Sequence, residues 1–535
     1  MIRQELLDKV RSKAFTPGAR DAQALAGFIG EIDREAAQDV IRALIRTGRP
    51  ALAIALAAAE RAPEPACSRL LEVVGKLATR EDAQAVTALV AALGDDRDRV
   101  VKVVARALGR LGAVGEAPEA ARSEIERALI EAAARATRDD LRATLIEALG
   151  KVGGRDALQS IGAGDASEPA ALRATARART MLTRDLSRDA ESAIDADVRA
   201  SGAVDVRLHC RGGLEPVLLE ELGALLRAKR VSHGAVDAML ESPIAPLLAA
   251  RTFTHLTFPA VDRALAPGES LVEAIADAVT SPRARHVFST FTRGQVRYRI
   301  SWKSGGHRRA AVFDVAARVA AIEPSYVNDP RSSTWEVCVD DARGRVAIDL
   351  HPRALLDARF AYRVTDVPAA SHPTLAAAIA FLGGVRSDDV VWDPFVGSGL
   401  ELIERARLGP CASLSGTDIS AVALSAARDN LQQAGVVAAL EQLDARKSEA
   451  AGVTLIVTNP PMGRRVTSAA ALTDLLVPFV AHAAQALAPG GRMVWITPQP
   501  RDTNRAAARA GLVIDRAYDV DMGGFSAVLQ RLVKP

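Results

Sequence analysis

Thr458-Asn-Pro-Pro-Met-Gly463, directly after the apolar run Val453–Val457, decides how this chain is read. A short, continuous aliphatic run bounded by turn residues reads as a buried strand. The two prolines stiffen the turn that leaves it, and neither ring nitrogen can donate a hydrogen bond. The Asn459 side-chain carbonyl and the Pro460 main-chain carbonyl can therefore accept both N–H groups of one planar exocyclic amine. Met462 follows where a side chain would cover the ring carrying that amine.

Upstream, Val391-Trp-Asp-Pro-Phe-Val-Gly-Ser-Gly-Leu400 runs from a second strand into a helix over Glu401–Leu408. Gly397 and Gly399 let the backbone approach a ligand, and the helix N-terminus favours an anionic group. Asp393 can accept from a ligand amine. Gly416-Thr-Asp418 ends the next strand, where a carboxylate can take both hydroxyls of a ribose. Asp444 follows 26 residues later, placed for an adenine amino group, and Leu487-Ala-Pro-Gly-Gly491 precedes another strand. Taken singly, the glycine turn has a structural tight turn as its alternative, and each acid is more often a solvated loop charge or helix cap. Their order along one chain is what carries weight.

The strands Val390–Trp392, Leu414–Asp418, Val453–Thr458 and Arg492–Thr497 alternate with helices, which predicts an α/β Rossmann-like, doubly wound parallel sheet over 366–535. Ala517–Val520 and Ala527–Leu532 are expected as a late antiparallel pair. Residues 204–365 mix strands at 206–210, 255–260, 296–302, 334–339 and 346–350 with helices at 213–222, 270–279 and 307–320, an α+β pattern. Residues 1–190 read as successive amphipathic helices. Glu72-Val-Val-Gly-Lys-Leu-Ala78, Arg106-Ala-Leu-Gly-Arg-Leu-Gly112 and Glu147-Ala-Leu-Gly-Lys-Val-Gly153 share a pattern, 34 and then 41 residues apart. That spacing predicts HEAT-like helical repeats, with an Ala-rich helical bundle as the alternative.

The 535 residues call for more than one domain, and an apolar fraction of 49% with 25% charged residues suits a globular chain. No secretory signal or membrane span is read, and the four scattered cysteines lack metal-ligand spacing. The expectation is a cytoplasmic protein without membrane contact or structural metal. The net charge of +3 is unevenly spread. Residues 281–320 carry Arg283, Arg285, Arg293, Arg297, Arg299, Lys303, Arg308, Arg309 and Arg318 against Asp314 alone. Such a local cluster is what phosphate neutralisation needs. Arg293, Arg297, Arg299, Lys303, Arg308 and Arg309 are the candidate RNA contacts.

The C-terminal motifs resemble those of class I S-adenosylmethionine-dependent methyltransferases, and more narrowly of the THUMP-containing RNA guanine-N2 methyltransferases. The likeness rests on Asp-Pro-x-x-Gly-Ser-Gly at 393–399, Leu402-Ile-Glu404, Gly-x-Asp at 416–418, Ala427-Arg428, Asn430, Ala434-Gly-Val436, Asp444-Ala445 and Asn459-Pro-Pro461 with Gly463 and Arg465. Gly213-Leu-Glu215, Glu220-Glu-Leu222, Tyr362-Arg363 and His372-Pro-Thr374 extend it upstream into a ferredoxin-like/THUMP-like region. Family resemblance implies S-adenosylmethionine as cofactor. Asp393, Gly397 and Gly399 would hold its methionine portion, Asp418 its ribose and Asp444 its adenine, with Pro394, Ile419, Ala445 and Asn459 lining the same site. It also implies that Asn459 and Pro460 grip the target amine, that Met462 supports the base, and that Arg465 meets an RNA phosphate.

The expected activity is N-methylation of an exocyclic base amine in structured RNA, guanine N2 in tRNA or rRNA above others. The helical repeats would offer a surface for a protein partner. Two residues depart from the family pattern, Leu400 for threonine and Met462 for the stacking aromatic. They motivate the alternative of a non-catalytic helical-repeat scaffold carrying a degenerate methyltransferase domain. DNA adenine-N6 and protein-glutamine methylation are rivals of the same chemistry.

Overall fold

The computed structural model describes residues 2–12, 14–113, 119–161, 168–223, 225–306, 308–368, 370–462 and 469–535. The chain divides into two compact units. One comprises Met1–Ser192, Leu265–Thr280 and Gly294–Ser333, the other Ala193–Ala264, Ser281–Arg293 and Thr334–Pro535.

Helices dominate the first unit. Ala66–Leu77, Asp98–Leu111, Asp139–Val152 and Pro169–Leu186 each pack on the next. The recurring glycines explain how closely. A Cβ added at Gly75 would lie 2.6 Å from the Ala107 Cβ, at Gly109 3.1 Å from the Ala148 Cα, and at Gly150 2.8 Å from the Ala178 Cα. Ala107 and Ala148 belong to the same Ala-Leu-Gly triplets as Gly109 and Gly150. One triplet thus supplies the alanine that fills the preceding glycine's notch and the glycine that receives the next alanine. Close-packed interiors tolerate no added methyl at such seats. The helices Leu271–Val279 and Arg309–Ile322 pack on each other, and the second also on Pro169–Leu186. Two helices from the middle of the sequence therefore gather with the N-terminal ones. The Ser270–Glu273 capping box starts the first of them.

In the second unit an antiparallel sheet runs in the order Arg227–Ser232, Ala235–Leu240, Val204–Cys210, Phe253–Ala264, Arg345–His351, Trp335–Asp340. Its apolar face buries Val206, Leu208, Leu256, Phe258, Ile348 and Val337.

The C-terminal sheet comprises β1 (Val390–Asp393), β2 (Ser413–Asp418), β3 (Ala439–Gln442), β4 (Val453–Thr458), β5 (Leu487–Thr497), β6 (Val513–Asp521) and β7 (Ser526–Val533). Its order is β3-β2-β1-β4-β5-β7-β6. The first five strands are parallel, and β7 is antiparallel to both neighbours. The expected late antiparallel pair is thus present and longer than its apolar residues suggested. Leu455, Val457, Val494 and Ile496 join one apolar cluster, and Ile456, Met493 and Trp495 the other. Strands covered on both faces lose polar alternation, which is why β4 reads as a continuous aliphatic run.

The sheet is anchored below β1 by Asp389, wholly buried between Arg405 and Arg492, each 2.8 Å away. Elsewhere in this unit Glu404 accepts from Arg251 and from the Tyr362 hydroxyl, both at 2.5 Å. The fully buried Asn430 accepts from the Val364 and Thr365 amides and donates to the Thr365 and Ser398 carbonyls. These contacts give Tyr362, Glu404 and Asn430 structural work. Among the described residues no helix is long and apolar enough to cross a membrane.

Candidate active site

β1 is flanked by β2 on one side and β4 on the other, so the chain reverses its winding direction between β1 and β4. In such sheets the crevice for a ligand opens at the carboxyl ends of those two strands. Asp393 ends β1, and Thr458 with Asn459 leaves β4.

Asp393 is fully buried. Its Oδ1 accepts from the Phe395 amide at 3.1 Å and from the Thr458 hydroxyl at 2.7 Å, tying the two strand ends together. Its Oδ2 has no hydrogen-bond partner among the described residues. Burial, and then the charge of Glu401, pushes this carboxyl well above the usual carboxylate range. A buried acceptor of this kind fits a cationic or N–H-donating ligand group.

The turn after β1 has the shape the glycines suggested. Gly397 and Gly399 lie at φ 50° and 83°, in the left-handed region. A Cβ on Gly399 would also come within 3.3 Å of the Ala427 Cβ. Asp418, at the end of β2, accepts from the Gly397 amide at 3.0 Å and the Ser420 amide at 2.9 Å. Ile419 beyond it is 73% exposed, an aliphatic side chain presented at the rim. The Pro394 carbonyl accepts from the Thr417 hydroxyl.

Asp444 lies just past β3, with Ala445 buried behind it. Both carboxylate oxygens are engaged by Arg446, at 3.0 Å and 2.7 Å, and that pairing holds the carboxyl down to about 2. An adenine amine would share this carboxylate with the guanidinium, and an ionised carboxylate has lone pairs for both.

Asn459 has one end of its amide engaged and the other open. Its Nδ2 donates to Ser371 Oγ at 2.7 Å, while its Oδ1 is buried without a partner among the described residues. Ser371 in turn donates to Glu401 Oε1. Pro460 is buried, and half-buried Met462 leans on the apolar cluster that contains Leu400 and Val457. Gly463 and Arg465 lie outside the described residues. Sequence reasoning missed Ser371 and Glu401. Glu401 offered one signal, an acid in the first turn of a helix, but that position is commonly a solvated dipole contact.

The candidate RNA contacts divide. Arg293, Lys303 and Arg309 are exposed, and Arg299 and Arg308 are half-buried. The Arg308 guanidinium lies 4.4 Å from the centre of the Trp302 ring. Arg297 departs from the expectation. It is 3% exposed, donates to the Ser187 and Ala190 carbonyls, and pairs with Asp329 at 3.7 Å. It satisfies carbonyls beyond the helix Pro169–Leu186 instead of facing a phosphate.

Comparisons with known proteins bear on the fold and the family. Residues 361–527 match the UPF0020 family (RMKL-like, methyltransferase domain). Over 140 residues, 25% of this chain and 40% of the relative, the sequence is 33% identical to a tRNA (guanine(10)-N2)-dimethyltransferase of Methanothermobacter thermautotrophicus. Over 160 residues, 28% of this chain and 46% of the relative, it is 31% identical to a tRNA (guanine(6)-N2)-methyltransferase of Thermus thermophilus. The chain thus spans less than half the length of these two curated relatives. The crystal structure of TrmN from Thermus thermophilus superposes with a TM-score of 0.50 and 24% identity, over 62% of this chain and all of that one. That likeness shows the fold, an α/β methyltransferase sheet.

Proposed function

We propose that this protein is an S-adenosylmethionine-dependent RNA methyltransferase acting on an exocyclic base amine of structured RNA, guanine N2 in tRNA or rRNA, in the cytoplasm. One observation carries the reading. At the crevice beside β1 and β4, Asn459 presents a buried carbonyl oxygen that no described group uses. When bound, S-adenosylmethionine supplies an electrophilic methyl on sulfur.

The protein's own part is alignment and charge. An exocyclic base amine is a poor nucleophile because its lone pair is delocalised into the ring. Asn459 Oδ1 and the Pro460 carbonyl accept its two N–H groups, favour a pyramidal nitrogen and stabilise the positive charge that grows there during attack. Asp393 Oδ2 and the turn over Gly397 and Gly399 would hold the methionine end of the cofactor, with Asp418 and Ile419 at its ribose and Asp444 and Ala445 at its adenine. No general base is required, because the proton leaves after transfer. The base must lie unstacked to enter.

We assign the ferredoxin-like/THUMP-like region and its exposed cations to holding folded RNA by phosphate and shape. The helical unit, read as HEAT-like repeats, would contact a protein partner or extend the RNA footprint. The named relatives that act on guanine N2 support this choice over DNA or protein amides.

Full-length protein incubated with total RNA and labelled cofactor, followed by nucleoside mass spectrometry, tests the reading. N2-methylguanosine is the expected product. Binding of S-adenosylhomocysteine with no methyl transfer to RNA, DNA or protein would instead support the scaffold alternative.

A further inference from the structure

We propose that Ser371 and Glu401 are positioning residues that fix which way the Asn459 amide faces, turning its carbonyl toward the target amine. The inference rests on the N-methyltransferase reading and adds to it two residues that the family motif does not supply. They come from separate places: Ser371 precedes the helix Pro373–Gly383, Glu401 sits in the first turn of the helix Leu400–Leu408, and Asn459 follows β4.

An amide's oxygen and NH2 are nearly the same size, so shape alone does not choose between the two orientations. Hydrogen-bond polarity does. An ionised carboxylate can only accept, and a serine hydroxyl has a single proton. Ser371 gives that proton to Glu401 and offers Asn459 only lone pairs. A lone pair admits NH2 and rejects C=O, and Asn459 Nδ2 is indeed the atom 2.7 Å from Ser371 Oγ. Oδ1 is left buried and unpartnered among the described residues. Were the chain reversed, NH2 would confront the N–H groups of the substrate, donor against donor, and the amine would not be held.

Glu401 is an expensive way to stabilise a helix end. It is 3% exposed, and burying a carboxylate without a cation is unfavourable. Its surroundings are anionic: Asp393 from β1, and on its own helix Glu404, which is paired with Arg251 and Tyr362. From the segment before Pro373, His372 adjoins Ser371, and burial pushes its imidazole below the ordinary histidine value. β4 contributes only the uncharged Thr458 and Asn459. Burial pushes the Glu401 carboxyl up to about 7. Below that pH a protonated Glu401 can donate to Ser371, which frees the serine proton to turn toward Asn459. The wild-type transfer rate should therefore rise as pH passes through about 7.

Ser371→Ala and Glu401→Gln are compared with wild type for kcat, KM, the pH profile and S-adenosylhomocysteine affinity by calorimetry. Glutamine can donate as well as accept, so it keeps the volume and loses the polarity. Both variants should lose about 10- to 100-fold in kcat, the scale of a misaligned reacting group. Homocysteine-nucleoside affinity should change by less than about threefold. Glu401→Gln should flatten the pH profile near 7, Ser371→Thr should restore the rate, and the double variant should be no worse than Ser371→Ala. Wild-type kcat in either single variant, or an equal loss of cofactor-product affinity, overturns the proposal. Deuterium positions from neutron diffraction of the wild-type protein read the polarity without any turnover. Ser371 pointing at Glu401 supports the relay, and Ser371 pointing at Asn459 overturns it. A chain that methylates no RNA but shows the expected polarity sinks the functional reading and leaves the relay standing.

Discussion

Under the proposed function, Asn459→Ala separates the groups that would hold the amine from those that would hold the cofactor. The substitution removes two things: the unpartnered Oδ1 and the 2.7 Å bond from Nδ2 to Ser371. The first matters to catalysis. Positive charge grows on the amine nitrogen during attack, and a preoriented acceptor aimed at it contributes about 2.7–4 kcal/mol, or roughly 10²–10³ in kcat. The second matters to folding. One neutral hydrogen bond contributes about 1 kcal/mol, and Ser371 keeps its bond to Glu401 after truncation. Asp393 loses nothing, because its Oδ1 is held by Thr458 and the Phe395 amide. The variant should thus melt close to wild type and bind S-adenosylhomocysteine within about threefold of it. Transfer should fall by two to three orders of magnitude. Single-turnover transfer of a labelled methyl group, beside calorimetry and a melting curve, reads all three. A kcat within about fivefold of wild type refutes the assigned role. A matched loss of cofactor-product affinity moves Asn459 from the amine site to the cofactor site.

Four further outcomes are expected. Asp389→Asn removes the charge between buried Arg405 and Arg492; burial pushes this carboxyl up, but hydrogen bonds from those arginines and Thr454 hold it well below the usual range. Two buried guanidiniums left uncompensated should destabilise the domain by about 3–5 kcal/mol, and an unchanged denaturant midpoint would contradict this. Asp444→Ala should weaken S-adenosylhomocysteine binding about tenfold, the value of one hydrogen bond to a charged group, whereas unaltered affinity would remove Asp444 from the adenine site. Lys303→Ala and Arg309→Ala should each lower RNA affinity and reduce the slope of log K against log salt by about 1. Arg297→Ala should instead leave the salt slope unchanged and cost about 3 kcal/mol in stability, because it removes the cation paired with buried Asp329; a shift in slope without destabilisation would reverse that assignment.

The sheet was legible wherever both faces of a strand are covered. β1, β4 and β5 carry short apolar runs, Val390–Trp392, Leu455–Val457 and Met493–Ile496, because apolar clusters cover both faces. β3 is mostly exposed over Ala439–Gln442, and the edge strand Arg227–Ser232 is exposed almost throughout. Neither gives alternation for a pattern to detect. The positions of Asp393, Asp418, Asp444 and Asn459 were legible because each sits at the end of a strand or just past one, where topology alone fixes its neighbourhood. Ser371 was not. Its partners stand 30 and 88 residues away, and a side-chain network that closes over such distances leaves no local signature. Burial also decided Arg297, which the charge count could not distinguish from Lys303.

The two departures from the family motif take on different meanings in the folded site. Leu400 is fully buried in the apolar cluster on which Met462 leans, so the side chain that replaces threonine has become core. Under the proposed function, Met462 would give up the ring plane that contributes about 1–3 kcal/mol per stacked base, while its polarizable thioether would keep part of that contact. A pocket that had only decayed should first shed its costliest groups, since nothing in folding favours them. Here the opposite holds. Asp393 keeps an unpartnered buried oxygen, Asn459 keeps another, and Glu401 is a buried carboxylate without a cation, each unfavourable to stability. Unsatisfied groups gathered at one crevice are what a ligand-binding site retains and a scaffold has no use for. The physics of the pocket therefore favours an enzyme whose base contact has changed over a fold that has lost its chemistry.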